Sequence, residues 1–350
     1  MVLFIAGSFD INGGKKSGLA QKFYDVLKNY YNNVDFYNGG NIQQLKHYVL
    51  SVKKYQIVIW WAKYDFKNIQ LADIKSQNSR CMLICSKNNT SGDLLYSQII
   101  QHTLSKKGNL CFVFKKSGNR FGFDIYDPLG NVLYSGSDIT EAGDIMFRRI
   151  EFLKKLSRKS SICAGEKIEV PNKPTFFRVV KKWGKQFHQV INPDQKTRYL
   201  GNASFRCQRG FPSFRHKNYI FVSQRNIDKR YITNQNFVAT YLSANQEVKY
   251  YGDKKPSVDT PIQLELYNAL PNINYIIHAH CYVKNAPFTN VALPCGAVEE
   301  ASEILNLIEN KNIDFVAINL KNHGCVVMSK TIKKFSTVQF VARPMPEQLK

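Results

Sequence analysis

The sequence predicts an α/β chain of two domains, the first built on a mostly parallel, doubly wound sheet. Three observations lead there. The chain has 350 residues and is 44% hydrophobic, enough for two domains with cores of their own. Its first half alternates apolar runs of strand length with segments of helical spacing, the pattern that places helices on both faces of a parallel sheet. A polar stretch containing Gly165 and Pro171 then breaks the alternation.

Val2–Ala6 reads as the first strand, because it is too short for a signal-peptide core and no basic segment precedes it. Leu19, Phe23, Val26, Leu27 and Tyr30 give residues 17–31 the spacing of a helix. Residues 34–37 follow as a strand and 43–52 as a helix. The continuous apolar runs 56–61 and 81–86 fit strands buried on both faces. Residues 93–104 read as an amphipathic helix and 110–115 as a strand. Residues 121–125 and 132–134 flank the turn Asp127-Pro128-Leu129-Gly130-Asn131, a hairpin signature. A long helix over 138–156 has Asp138 at its N-cap. Residues 1–158 thus read as a Rossmann-like domain, 159–173 as a linker and 174–345 as a second domain that opens with a helix around 176–190.

The glycine-rich segment from Gly7 to Gly18 joins the first strand to the first helix. A helix N-terminus there can receive an anion, but the segment has neither the P-loop nor the dinucleotide pattern, so a plain connecting loop is the favoured reading. Trp60 and Trp61 end a strand, where they either line a cleft or fill the core. The 49 Lys+Arg against 26 Asp+Glu give a formal charge of +23. That field attracts polyanions without choosing among them, so weak, non-specific nucleic-acid binding is an expectation. No apolar run is long enough to span a membrane. The eight cysteines form no CxxC pair, which fits free thiols in a reducing, cytoplasmic setting.

The chemistry concentrates in Tyr275-Ile276-Ile277-His278-Ala279-His280. On a strand, residues two apart share a face, so His278 and His280 project together, as ligands of a zinc-like ion do. His323, in Asn322-His323-Gly324, follows another apolar run, and the glycine permits a turn that aims the imidazole back at the pair. Two histidines near a strand end are also compatible with a purely structural role.

Several motifs in this half, in order, resemble the class II aldolase/adducin family. Gly201-Asn202-Ala203-Ser204-Phe205-Arg206 is similar to its Gly-Asn-x-Ser-x-Arg segment. Tyr219–Val222 with Ser223 resembles the strand leading to its phosphate turn, and Lys255–Pro261 its Pro-Ser-Ser-Glu/Asp segment. His278-Ala279-His280, Pro294-Cys295-Gly296 and Asn322-His323-Gly324 complete the series. The resemblance implies an αβα domain with a mostly antiparallel sheet, a Zn2+ or similar divalent ion on His278, His280 and His323, and a homo-oligomer, by family a tetramer. It implies aldol cleavage or epimerisation of a sugar or sugar phosphate through a metal-stabilised enediolate. Substrate contacts fall on Gly201, Asn202, Ser223 and Ser257.

By position the catalytic carboxylate is Asp259, and Asp259-Thr260 resembles members similar to L-ribulose-5-phosphate 4-epimerase. The same residue can instead cap the following helix. Two positions depart from the family's phosphate pocket: Gln224 stands for a glycine and Val258 for a serine. Arg206, Arg225 and Lys229 are candidates to restore the lost anion affinity. The altered pocket also fits a non-catalytic, adducin-like binding or scaffolding protein.

Overall fold

Paired strands with covering helices organise the chain into two compact units, Met1–Lys155 and Leu156–Lys350. The computed structural model describes residues 1–63, 81–89, 96–106, 108–117, 120–157, 159–190, 199–207 and 219–341. Residues 93–95 of the expected third helix and 342–345 of the expected second domain lie outside them.

In the first unit the order is β1 (Val2–Asp10), α1 (Gly18–Leu27), β2 (Val34–Asn41), α2 (Ile42–Ser51), β3 (Ile57–Lys63), β4 (Cys81–Asn89), α3 (Tyr96–Ser105), β5 (Leu110–Ser117), β6 (Arg120–Tyr126), β7 (Val132–Gly136) and α4 (Ile139–Lys155). The seven strands run β2-β1-β3-β4-β5-β6-β7 across the sheet. β1 to β5 pair in parallel, and β6 and β7 add an antiparallel hairpin. Why β1 is apolar without alternation is now clear. Val2, Phe4 and Ala6 join the core under α1 and α4, while Leu3 and Ile5 join the core under α2, so both faces are covered. Asp138 caps α4, its Oδ1 accepting from the Thr140 and Glu141 amides at 2.7 and 3.1 Å.

The glycine-rich segment spends its backbone on the protein. The Lys15 amide donates to Ser8 Oγ, the Gly14 amide to Gly40 O and the Ser17 amide to Asn38 Oδ1. Ser17 Oγ in turn accepts from the Ala20 amide. The structure thus favours a connecting loop over an anion cradle, since the Gly14, Lys15, Ser17 and Ala20 amides already have acceptors.

The second unit contains β8 (Ser161–Gly165), α5 (Pro174–Val190), β9 (Asn202–Arg206), β10 (Ile220–Ser223), β11 (Phe237–Leu242), β12 (Val248–Tyr251), α6 (Thr260–Ala269), β13 (Tyr275–Ala279), β14 (Tyr282–Val283), α7 (Glu299–Asn306), β15 (Phe315–Leu320), β16 (Gly324–Ser329) and β17 (Phe340–Val341). Its main sheet has eight strands in the order β15-β16-β13-β9-β10-β11-β12-β8. Every pairing is antiparallel except β12 with β8. The stretch 159–173, expected to be linker throughout, therefore supplies an edge strand. Four of the five β8 residues are exposed, so the stretch carries no apolar alternation to announce itself.

Period-2 alternation sorts the core of this sheet. Phe205, Phe221 and Ile277 face α5, whose Phe176, Phe177, Val180 and Trp183 pack on them. Ile220, Val222 and Ile276 face α6 and α7, meeting Ile262, Leu266 and Ile304. The result is an αβα sandwich. No described helix is long and apolar enough to cross a membrane.

The first unit's core centres on Phe23, fully buried with its ring 5.4–6.1 Å from those of Trp61, Phe112 and Phe123. Phe23→Ala is expected to cost about 3–5 kcal/mol, the usual loss for deleting a core aromatic, as measured by denaturant unfolding of the full chain.

Candidate metal centre

β13 lies between β16 and β9, pairing His278 with Val326 on one side and Asn202 on the other. Its alternation sends Ile277 and Ala279 toward α5 and Ile276 toward α6 and α7. His278 and His280 share the face of Ile276. The turn between β15 and β16 delivers His323. There Asn322 takes a left-handed φ of 57° and the His323 amide donates to Leu320 O. Gly324 then runs so close to β13 that a Cβ on it would sit 2.0 Å from Ala279 O.

The three imidazoles form a near-equilateral triangle with ring centroids 4.8–4.9 Å apart. They are 0–7% exposed, and one ligand nitrogen from each lies within 4.8 Å of the others. His278 Nδ1 donates to Cys325 O at 2.9 Å, which leaves the lone pair on Nε2, a buried atom with no hydrogen-bond partner. His323 Nδ1 meets Glu300 Oε1 at 2.7 Å, the carboxylate–histidine arrangement that orients metal-bound imidazoles. Cys295 Sγ lies 3.2 Å from His323 Nε2. An unsatisfied imidazole nitrogen facing two further buried imidazoles fits a divalent transition metal.

The electrostatics differ between the imidazoles. Burial, and then the neighbouring His323, push the His278 pKa down to about 4, so at neutral pH it is in the form that binds metal. His323 moves the other way. Burial disfavours its charge, but Glu300 and Cys295 outweigh that and raise it well above the ordinary value. Burial raises the Glu300 carboxyl, with His323 pulling against it. Glu300 was missed in the sequence because it lies 23 positions from His323, and only tertiary packing joins them.

Asp259 sits at the N-cap position of α6, yet its side chain makes no capping hydrogen bond. It turns inward instead. Oδ1 accepts from the Gly296 amide at 2.9 Å and Oδ2 from Asn202 Nδ2 at 2.8 Å. Oδ2 is 4.0 Å from His278 Nε2. Asn202 also donates to Ser257 Oγ, and Gln263 Nε2 donates to Asn202 Oδ1. Ser223 Oγ, fully buried, accepts from the Ala203 amide. Gly201, at φ +77°, lies where a Cβ would come 2.6 Å from His278 O. Asn202, Ser223 and Ser257 are thus buried around Asp259 and the sheet with their polar atoms on protein partners.

Of the basic candidates, Arg206 is turned away, its guanidinium donating to the carbonyls of Tyr267, Leu270 and Ile273. Lys229 is buried, and burial pushes its pKa down to about 7 although Asp228 and Asp259 oppose the shift. Gln224, where a glycine was expected, points its amide at Gln235 O.

Residues 186–286 match the sequence model of the class II aldolase and adducin N-terminal domain. The second unit therefore carries a class II aldolase/adducin-type domain. The match includes Asp259, His278 and His280 and ends before His323. Among solved structures, the chain is similar to a sugar-phosphate aldolase from Thermotoga maritima, at 13% identity and TM-score 0.34 over 46% of this chain and 91% of that one. It is similar to an L-fuculose 1-phosphate aldolase at 19% identity and TM-score 0.34, over 48% and 81% respectively. A DNA/pantothenate metabolism flavoprotein from Streptococcus pneumoniae is similar at 11% identity and TM-score 0.33, over 43% and 98%.

Two outcomes are expected. Glu300→Gln removes the charge behind His323 and should weaken zinc by roughly 10–100-fold, read by competition with a chelator, while the chain stays folded. Lys229 releases its proton near pH 7 when folded and near 10.5 when unfolded. Between those values the unfolded chain holds the extra proton, so this residue makes stability rise with pH across the interval. Lys229→Met should lose that rise, seen by comparing denaturation midpoints with wild type at pH 7 and pH 10.

Proposed function

We propose that the second unit is a divalent-metal lyase or isomerase that cleaves or epimerises a sugar or sugar phosphate. The observation that carries this reading is the buried triangle of His278, His280 and His323 with Asp259 Oδ2 at its edge. A scaffold has no need to bury three imidazoles beside a carboxylate. The match of residues 186–286 to the aldolase/adducin domain supports the reading, as does the activity named for the sugar-phosphate aldolases it resembles.

His278, His280 and His323 would hold Zn2+ or another divalent transition metal. When bound, such an ion supplies Lewis acidity for a carbonyl whose neighbouring carbon gains negative charge. The remaining work belongs to the chain. Asp259 would take or return a proton at Oδ2, the oxygen nearest His278, or serve as a fourth ligand. Asn202 and the Gly296 amide hold that carboxylate by one oxygen each. Ser257 Oγ lies 3.4 Å from Oδ2. In this reading Gly201, Asn202, Ser223 and Ser257 act on substrate mainly by fixing Asp259 and the His278 backbone. Lys229, when protonated, places its field on both Asp259 and His278. The family likeness extends the reading to a homo-oligomer.

Asp259→Asn separates the roles. The new NH2 group must face either Asn202 Nδ2 or the Gly296 amide, donor against donor, so stability should fall by about 1–3 kcal/mol. If Asp259 is the base, zinc stays bound and turnover on a responsive ketose phosphate drops by roughly 10²–10⁴-fold. If it is a ligand, zinc content falls too. Zinc-loaded wild-type protein that neither cleaves, epimerises nor dehydrates any pentulose or deoxyhexulose phosphate would favour the binding-protein alternative.

A further inference from the structure

The first unit gathers a second group of ligands. Cys85 on β4 and Cys111 on β5 are register partners in adjacent parallel strands, which puts both thiols on one side of the sheet. His102 reaches them from α3. The two sulfurs and one imidazole nitrogen all lie within 4.8 Å of one another. Both cysteines are free and buried, and His102 is half-buried.

We propose that Cys85, Cys111 and His102 form a site for a thiophilic cation of the Zn2+ type, independent of the histidine triangle in the second unit. Two thiolates with an imidazole are the donor set that such an ion selects over hard cations. A tetrahedral ion with bonds of about 2.0–2.3 Å needs its ligand atoms about 3.5–3.8 Å apart, so a modest inward closure completes the site. Binding converts two thiols to thiolates and releases two protons to solvent. The imidazole is already oriented. Its Nε2 lies 3.1 Å from Ser86 O, and a proton donated there leaves the Nδ1 lone pair for the ion, as outer hydrogen bonds do at metal-bound histidines. Gly108 closes the thiol side, where a Cβ would stand only 3.1 Å from Cys85 Sγ.

An entry path exists. Cys85 and His102 both line a cleft of about 170 Å³ whose other walls include Trp60, Trp61, Lys63 and Lys106. The fourth coordination position would open toward it. Three protein ligands with one open position distinguish sites that receive a small anion or water from closed structural sites.

The probe is Co2+ added to the reduced full chain, because cobalt bound by thiolate absorbs in the near ultraviolet where imidazole-bound cobalt does not. The expected result is a thiolate-to-cobalt band in wild type that persists in the His278→Ala/His280→Ala chain and in Cys295→Ala. It should vanish in Cys85→Ala/Cys111→Ala. His102→Ala keeps both thiols and spares the core, and should weaken zinc at this site by at least about tenfold. A band that is absent from folded wild type, depends on Cys295 or survives loss of both cysteines overturns the proposal. So does a Cys85–Cys111 disulfide that persists under reductant. The result is indifferent to whether the second unit turns over a sugar.

Discussion

Everything at the candidate centre depends on one close approach, that of the Gly324 backbone to Ala279. β16 pairs with β13 up to Cys325 opposite Ala279, and at Gly324 there is no room for a side chain. That contact sets the turn carrying His323 over the strand end carrying His278 and His280. A second contact of the same kind lies on the other flank, where Gly201 meets His278 O. Two glycines thus hold the three imidazoles in register, and any Cβ at either position must move the strand that bears His278 and His280.

Burying these groups has a cost that the surroundings only partly offset. His278 Nε2 is left without a hydrogen bond, and burial disfavours the charged forms of Lys229, Glu300 and His323. An ion bound only by the folded chain returns stability by mass action, about 2.7 kcal/mol when present at a hundred times its Kd. The arrangement makes physical sense as a site whose folding and ligation are linked. Glu300 and Asp259 lie behind or beside the imidazoles, so the charge of a bound cation would be met by carboxylates already in place.

Much of this was legible in the residues. The continuous apolar runs announced the parallel strands of the first sheet, because strands covered on both faces need no alternation. The spacing of His278 and His280 alone placed them on one face, and the glycine after His323 marked the turn. What stayed hidden was tertiary. Glu300 stands in no motif that the sequence offered, and only the fold brings it to His323. Cys85 and Cys111 looked like ordinary apolar strand residues, since register between residues so far apart in the chain is not written locally. β8 hid inside a polar stretch because an edge strand can leave most of its side chains in solvent. Asp259 read as the acid, with a helix cap as the alternative; the structure turns its carboxylate to Asn202 and Gly296 rather than to the helix amides.

The central claim is that His278, His280 and His323 together hold a metal ion, and diffraction from crystals grown with zinc, recorded at the zinc edge, tests it most directly. The account predicts an anomalous peak inside the triangle, about 2.0–2.1 Å from one nitrogen of each imidazole, with Glu300 still on His323 Nδ1. Crystals soaked in zinc that show no peak there, or a His323 ring turned away from the other two, would contradict it.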